Sequence, residues 1–346
     1  MVSRDAIIVL GDINVDVMGV VDRWPQPGDD CLANRLEIHL GGVGANYALA
    51  LSRWGVRTRL FGCVGRDEFG SLLRRTLREN GLDVRWLQTT ADAMTGLVYI
   101  NVTPDGQRTF FGSRGANMIV RKPQHPRALF DGAGALHLAG YNFLTPVTEA
   151  TARFLHKSLR KRGALVSLDV GPDASRLFPR KILQLASQID ILFANLAEAY
   201  ALTRERDPRS ALRSLHNAGA TDVVLKLGKD GCMIFHEGEV MEAPAFPIDA
   251  VDSTGAGDAF VGAFLQARLR GWSQPEAAIA ANAAGAAATK VLGAGENLPH
   301  LHDIVGILQT PLADREWDAV RRAVLSRLQS EKTRGTATSG RKRKRK

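Results

Sequence analysis

Apolar positions along the chain fall into two periods. Short, nearly continuous apolar runs lie at 6–10, 58–63, 135–139, 165–169, 191–194 and 222–226. Runs this short, with Gly, Asp or Asn close by, read as strands buried on both faces. Between them, at 45–54, 68–80, 147–161 and 208–218, apolar residues recur with helical spacing, and the last third continues as helices at 257–269, 275–290 and 311–328. Strands alternating with helices predict an α/β fold: a mostly parallel central sheet with helices on both faces.

Two stretches depart from that rhythm. Residues 17–40 and 95–117 alternate polar and apolar positions and carry turn signals. Pro104, Asp105 and Gly106 separate 97–102 from 108–111, which predicts a hairpin, and Pro25, Pro27 and Gly28 punctuate the other stretch. The two pieces are far apart in sequence and must meet in space to form one sheet. The expectation is a small β-sheet lid that covers a site or pairs with a second copy of the chain as a homodimer.

Composition narrows the class. The chain has 346 residues, 45% hydrophobic and 23% charged, enough for a large core in one domain over residues 1–330. Cys31, Cys63 and Cys232 are too few and too scattered for a disulfide framework or a zinc site, which points to a reducing, cytoplasmic setting. No apolar run reaches the roughly 18 residues of a membrane span, and the first apolar run, followed at once by Asp12 and Asp16, is too short for a signal peptide. Residues 331–346 hold eight Lys or Arg and one Glu, +7 of the formal +9, so the rest is close to neutral. Such a run reads as a disordered basic tail. Any attraction to nucleic acid would run through that tail, weakly and with salt sensitivity.

The densest chemistry is Asp252-Ser253-Thr254-Gly255-Ala256-Gly257-Asp258 before a helical run. Small residues at a helix start let consecutive amides point at an anion. Phosphoryl transfer needs such a site, because charge spreads over the equatorial oxygens in the transition state. Asp258, in the first turn, is placed to take a proton from an attacking hydroxyl. Alone, the segment also fits an ordinary Gly-rich helix start with an acid favoured by the dipole. Gly41-Gly42-Val43-Gly44-Ala45-Asn46 likewise opens a helix, and Asn46 offers a polyol both a donor and an acceptor. Neither segment has the G-x-G-x-x-G spacing, and Walker A and protein-kinase motifs are absent. His137 and His156 have no metal spacing and read as structural.

Together these segments resemble the two signatures of the ribokinase-like sugar kinases, the phosphofructokinase B group, in that family's order and separation. Gly11-Asp12-Ile13-Asn14-Val15-Asp16, Asn195-Leu196-Ala197-Glu198 and Lys226-Leu227-Gly228-Lys229-Asp230-Gly231 resemble further family segments, so the likeness covers about 5–300. The resemblance implies a ribokinase-like fold and an ATP-dependent phosphotransferase acting on a hydroxymethyl group of a sugar or sugar derivative. It implies Asp258 as base and the amides of Gly255, Ala256 and Gly257 as anion hole. Asn14, Asp16, Gly42, Asn46 and Arg108 would contact the sugar. Lys226, Gly228, Gly231, Thr254 and Asn282 would line the nucleotide, and Asn195 with Glu198 would order Mg²⁺ through water. Asp252, with the backbone at Thr254, matches part of a monovalent-cation site found in some relatives, which leaves K⁺ open. A nucleoside kinase on the same fold and a non-catalytic sugar-binding protein are the alternatives.

Overall fold

The computed structural model describes residues 4–105 and 107–343, with side chains described through Ser330. In chain order the strands are β1 (Ala6–Leu10), β2 (Asn14–Val21), β3 (Ala33–Gly41), β4 (Arg57–Gly65), β5 (Leu87–Thr90), β6 (Gly96–Val102) and β7 (Arg108–Ser113). There follow β8 (Ala133–Ala139), β9 (Leu165–Asp169), β10 (Ile191–Asn195), β11 (Asp222–Lys226), β12 (Cys232–His236) and β13 (Glu239–Ala243). They form a nine-stranded sheet, β13-β12-β11-β10-β9-β8-β1-β4-β5, and a four-stranded sheet, β3-β2-β6-β7. In the large sheet the pairs from β11 through to β5 are parallel, while β12 and β13 finish one edge antiparallel.

The period of two explains the layers. In β1, Ile7 and Val9 enter one apolar core while Ile8 and Leu10 enter the other, and all four are fully buried. The first core packs the helices Val43–Arg53, Ala256–Leu269 and Gln274–Ala288; the second packs Pro146–Arg160, Pro179–Ala186, Leu196–Thr203 and Pro208–Asn217. A sheet covered on both faces is what continuous apolar strands require. The order reverses at β1, with β4 on one side and β8 on the other. Open α/β sheets bind ligands outside the carboxyl ends of their strands near such a point. Asp169, Asn195 and Lys226 are the last residues of the neighbouring strands β9, β10 and β11.

The stretches 17–40 and 95–117 do meet. β2 pairs antiparallel with β3 and parallel with β6, and β7 closes the hairpin on β6. Asp16, Val98 and Gly112 share a register row, as do Met18, Ile100 and Phe110. Side chains in one row point to one face, so Asp16, Met18, Val98, Ile100 and Phe110 share a face of the lid. The opposite face carries Tyr99, Leu36, Ile38 and Phe111, with Phe111 stacked on Trp24 at 5.9 Å. Sequence reading did not anticipate β5, β12 or β13. β5 is four residues long, and β13 is an edge strand with Glu at both 239 and 242, so periodicity alone is weak there. The final helix is Arg315–Arg343, and the expectation of a disordered tail at 331–346 concerns side chains and a terminus outside the described residues. Among the described residues no helix is long and apolar enough to cross a membrane.

Candidate active site

The acceptor side is built where the lid joins the large sheet. Gly42 precedes the helix Val43–Arg53 with φ 91°, and a Cβ there would lie 2.5 Å from the Asp12 carbonyl oxygen, so no other residue fits. A Cβ on the adjacent Gly41 would overlap the Asp16 carboxylate, which therefore rests on bare backbone. Asp16 Oδ1 has no hydrogen-bond partner, and burial pushes this carboxyl up to about 6, with His39 pulling the other way. An unsatisfied acceptor in a half-buried pocket is the group a ligand hydroxyl would meet. The Asn14 carboxamide oxygen accepts from Asn117 Nδ2 at 2.8 Å. Asn117, fully buried, also accepts from the Ile13 amide at 2.9 Å and so pins the loop after β1. Arg114 grips Asp12 through two bonds of 2.7 and 2.9 Å and lies over Tyr141.

The centre of the site is the start of the helix Ala256–Leu269. Gly255 caps it in the left-handed region, φ 76°, where a Cβ would lie 2.8 Å from the Ala294 Cβ. That turn carries Ala256, whose amide donates to the Ser253 carbonyl at 3.2 Å, and brings Asp258 into the first helical turn. Asn46 Nδ2 donates to Asp258 Oδ2 at 2.7 Å, while the Asn46 oxygen accepts from the Gly295 amide at 3.1 Å. Burial raises the Asp258 carboxyl to about 7; the Asn46 hydrogen bond opposes this, Asp169 adds to it and Lys226 counters it. A carboxylate near neutrality is tuned for general-base work.

The nucleotide side is a groove of about 360 Å³ lined by Lys226, Gly228, Gly231, Phe246, Ala256, Gly257 and Asn282 among others. Gly228 and Gly231 take φ of 62° and 90°, and a Cβ on Gly231 would strike the Ala243 carbonyl. Asn282 is buried rather than solvent-facing and donates to the carbonyls of Ala243 and Pro244 at 3.2 and 2.9 Å. Phe246, Phe260, Ile248 and Ala286 give the groove an apolar wall suited to a flat base.

Thr254 donates its amide and hydroxyl to Asp252 Oδ1 at 2.7 and 2.8 Å, and the Gly293 amide donates to Oδ2 at 2.7 Å. Arg108 comes down from β7 onto the same pair, 2.5 Å from Asp252 Oδ1 and bonded to the Thr254 hydroxyl. Burial pushes Asp252 up, but the Gly293 and Thr254 hydrogen bonds and the Arg108 charge together hold it below its ordinary value. Asp252 Oδ1 thus faces three donors, and Arg108 supplies its counter-charge. Arg108 is turned toward the anion-hole loop.

Asn195 and Glu198 form a reciprocal cap on the helix Leu196–Thr203. The Glu198 amide donates to Asn195 Oδ1 at 2.9 Å, and Glu198 Oε2 accepts from the Asn195 amide at 2.9 Å. Glu198 is only 6% exposed, and burial raises its carboxyl. It lines a cavity of about 170 Å³ together with Asp258, Asp169, Lys226 and Tyr47. Among the described residues no group of three or more His, Cys, Asp or Glu could cage a metal. Glu198, facing a cavity it shares with Asp169 and Asp258, would suit Mg²⁺ that keeps much of its water and rides on phosphates.

The region from residue 4 to 301 matches the pfkB family carbohydrate kinase pattern. This chain belongs to the pfkB family of carbohydrate kinases. It is 29% identical over 318 residues to a ribokinase of Haemophilus influenzae, covering 88% of this chain and 99% of that one. It is 30% identical over 270 residues to a nucleoside kinase of Methanothermobacter thermautotrophicus, covering 78% and 84%. The structure of Arabidopsis thaliana ribokinase complexed with ribose and ATP superposes with TM-score 0.76 at 27% identity, over 88% of this chain and 98% of that one. The chain is a carbohydrate kinase by family, with the ribokinase fold.

Reading the pfkB signatures left out residues that hold the site. Asp169 accepts from Tyr47 Oη at 2.6 Å and from Lys226 Nζ at 2.8 and 2.7 Å. Asn117 and the Asp12–Arg114 pair carry the loop under Asn14. A signal was available for Asp169: an acid ending an otherwise apolar strand, at the end of the sheet where ligands bind. His137, read as structural, is fully buried against Tyr47 at 4.3 Å and bonded to Ser167 Oγ at 2.9 Å; burial lowers it to about 4, so it stays neutral.

Proposed function

We propose that this kinase transfers the γ-phosphoryl group of MgATP to a hydroxymethyl group of a sugar or sugar derivative, with Asp258 as base. The observation that carries this reading is one junction. Asp258, half-buried and raised to about 7, lies on the helix turn whose Ala256 and Gly257 line the nucleotide groove, and Asn46 ties it to the acceptor side. Asp16 and Asn14 would hold the sugar hydroxyls, and the lid would exclude water, which otherwise competes as acceptor. The hydroxyl oxygen attacks the γ-phosphorus, its proton passes to Asp258, and the bond to the bridging oxygen breaks, leaving ADP. The amides of Gly255, Ala256 and Gly257 meet the charge on the equatorial oxygens. Mg²⁺, when bound near Asn195 and Glu198, neutralises phosphate charge.

The base must be ionised to work. Activity, read as kcat/KM with the acceptor, therefore rises with pH through about 7 and levels above it. Asn46→Ala removes a bond that favours the ionised form and moves that limb upward by about one pH unit, a cost of about 1.4 kcal/mol. A profile flat from pH 5.5 to 8 counts against Asp258 as base.

A nucleoside acceptor is the second reading. Val98 and Phe110 lie accessible on the lid face of Asp16, over buried Met18 and Ile100, an apolar surface on which a base could lie. Turnover with nucleosides exceeding that with free sugars selects it. For the opposite lid face we assign a second copy of the chain. Leu36 and Ile38 on β3 and Phe111 on β7 are each at least half exposed there, and such an uncharged surface is complemented by its own twin. Ile38→Glu with Phe111→Glu should halve the mass measured by light scattering; a wild type already monomeric at high concentration disposes of the assignment.

A further inference from the structure

Two cavities share a lining residue beside the start of the helix Ala256–Leu269. The smaller, about 170 Å³, holds the Asp258, Glu198 and Asp169 carboxylates; the larger is the nucleotide groove. Lys226 lines both, and no other described residue does. We propose that Lys226 is a catalytic residue of the transfer, its ammonium binding the moving phosphoryl group where the donor groove opens onto the base, with Asp169 and Tyr47 as the positioning residues that hold it there. This rests on the kinase reading above.

The geometry fixes the ammonium tightly. Asp169 grips Nζ with both oxygens, at 2.8 and 2.7 Å, and Tyr47 fixes the carboxylate with a bond of 2.6 Å. Lysine carries three N–H donors, so two bonds to Asp169 leave one for a ligand. A Cβ placed on Gly257 would lie 3.7 Å from Nζ, so the ammonium sits beside the start of the helix that carries Asp258. The charge balance points the same way. Three carboxylates face the small cavity against one cation, and a buried ion pair of this kind gains little over apolar packing. A cation arriving with the phosphates would supply the positive charge that these carboxylates lack and leave Lys226 to the phosphoryl oxygens. In the step itself, the acceptor oxygen–phosphorus bond forms as the bond from phosphorus to the β,γ-bridging oxygen breaks. The hydroxyl proton goes to Asp258 and the electron pair to ADP. Lys226 stays protonated and contacts the equatorial oxygens throughout.

The experiment compares wild type, Lys226→Met, Asp169→Asn and the double variant, using ATP and the best acceptor from a panel. Lys226→Met should lower kcat by about 10²–10³-fold, with KM for ATP and the measured affinity for ADP changed less than about threefold. Asp169→Asn should lower kcat by roughly tenfold or more, as a misaimed group does. The acid limb of the pH profile supplies a readout that a purely structural role would not move. The groups acting on Asp258, beyond burial itself, are Asn46, Asp169, Lys226 and Tyr47. Loss of the Lys226 charge should move the limb up, and loss of the Asp169 charge should move it down. Lys226→Met strands a buried carboxylate and so threatens folding; the double variant removes both charges, should melt near wild type, and should stay as slow as Lys226→Met. Normal kcat with a raised KM for ATP in Lys226→Met would make Lys226 a nucleotide anchor only. Recovery of kcat in the double variant would reduce it to a partner for Asp169. Either overturns the proposal. A wild type that turns over ATP with no acceptor fails the kinase reading first, and the proposal with it.

Discussion

Asp258→Asn should lower kcat by about 10²–10⁴-fold while KM for acceptor and ATP moves only a few-fold, because general-base assistance acts in the transition state. The substitution keeps the local geometry: an amide oxygen at position 258 can still accept from Asn46 Nδ2, as the carboxylate does at 2.7 Å. The same change should stabilise the fold at pH 8. With a folded pKa of about 7 against an ordinary 3.8, Asp258 keeps a proton in the folded state that the unfolded chain has already released. Its stabilising contribution is full below about pH 4 and is lost as pH rises through 7. At pH 8 the wild type therefore carries a half-buried carboxylate that the variant lacks. The difference is on the order of a few kcal/mol at most, or several degrees in Tm, and it should shrink toward pH 5. Thermal melts at both pH values, beside the kinetics, check the two halves. A variant with wild-type kcat, or one less stable at pH 8, breaks the assignment.

Gly255→Val should damage both stability and rate. Its backbone lies at φ 76°, where a β-branched residue costs about 1–3 kcal/mol, and the new Cβ would sit 2.8 Å from that of Ala294. The helix start must shift to relieve the overlap, and the amides of the anion hole move with it. Loss of one such donor costs about 10²–10³ in kcat. The expected result is a Tm lower by several degrees and a kcat lower by at least that factor, in protein that still binds ADP. A Gly255→Val protein of normal kcat would mean that these amides do not serve the reaction.

Much of this was legible in the chain. The doubly buried strands announced themselves as nearly continuous apolar runs, and 222–226 and 165–169 match β11 and β9 residue for residue. The lid was legible because its strands alternate, having one face toward the site and one away. Asp258 and the Gly255 turn could be read because their segment stands in order with the other family-like segments; alone, it also fits an ordinary Gly-rich helix start. The bond between Tyr47 and Asp169 was not legible, since they lie 122 positions apart and only the fold joins them. Arg108 shows the same limit from the other side. Its sequence neighbours suggest a sugar contact, whereas the fold of β7 over the anion-hole loop delivers it to Asp252 and Thr254. Asn282 reads equally well as a solvent-facing helix residue until the approach of β13 buries it.

The measurement that bears most directly on the account is ADP formation by the full chain with MgATP. It is run against a panel of sugars, sugar phosphates, keto-deoxy acids and nucleosides, wild type beside Asp258→Asn, with the phosphorylated product identified by mass. The account predicts one clear acceptor, phosphorylated at a hydroxymethyl oxygen by the wild type and at least about a hundredfold more slowly by the variant. Equal turnover by the two proteins, or a wild type that binds ATP and acceptor yet transfers nothing, would contradict it.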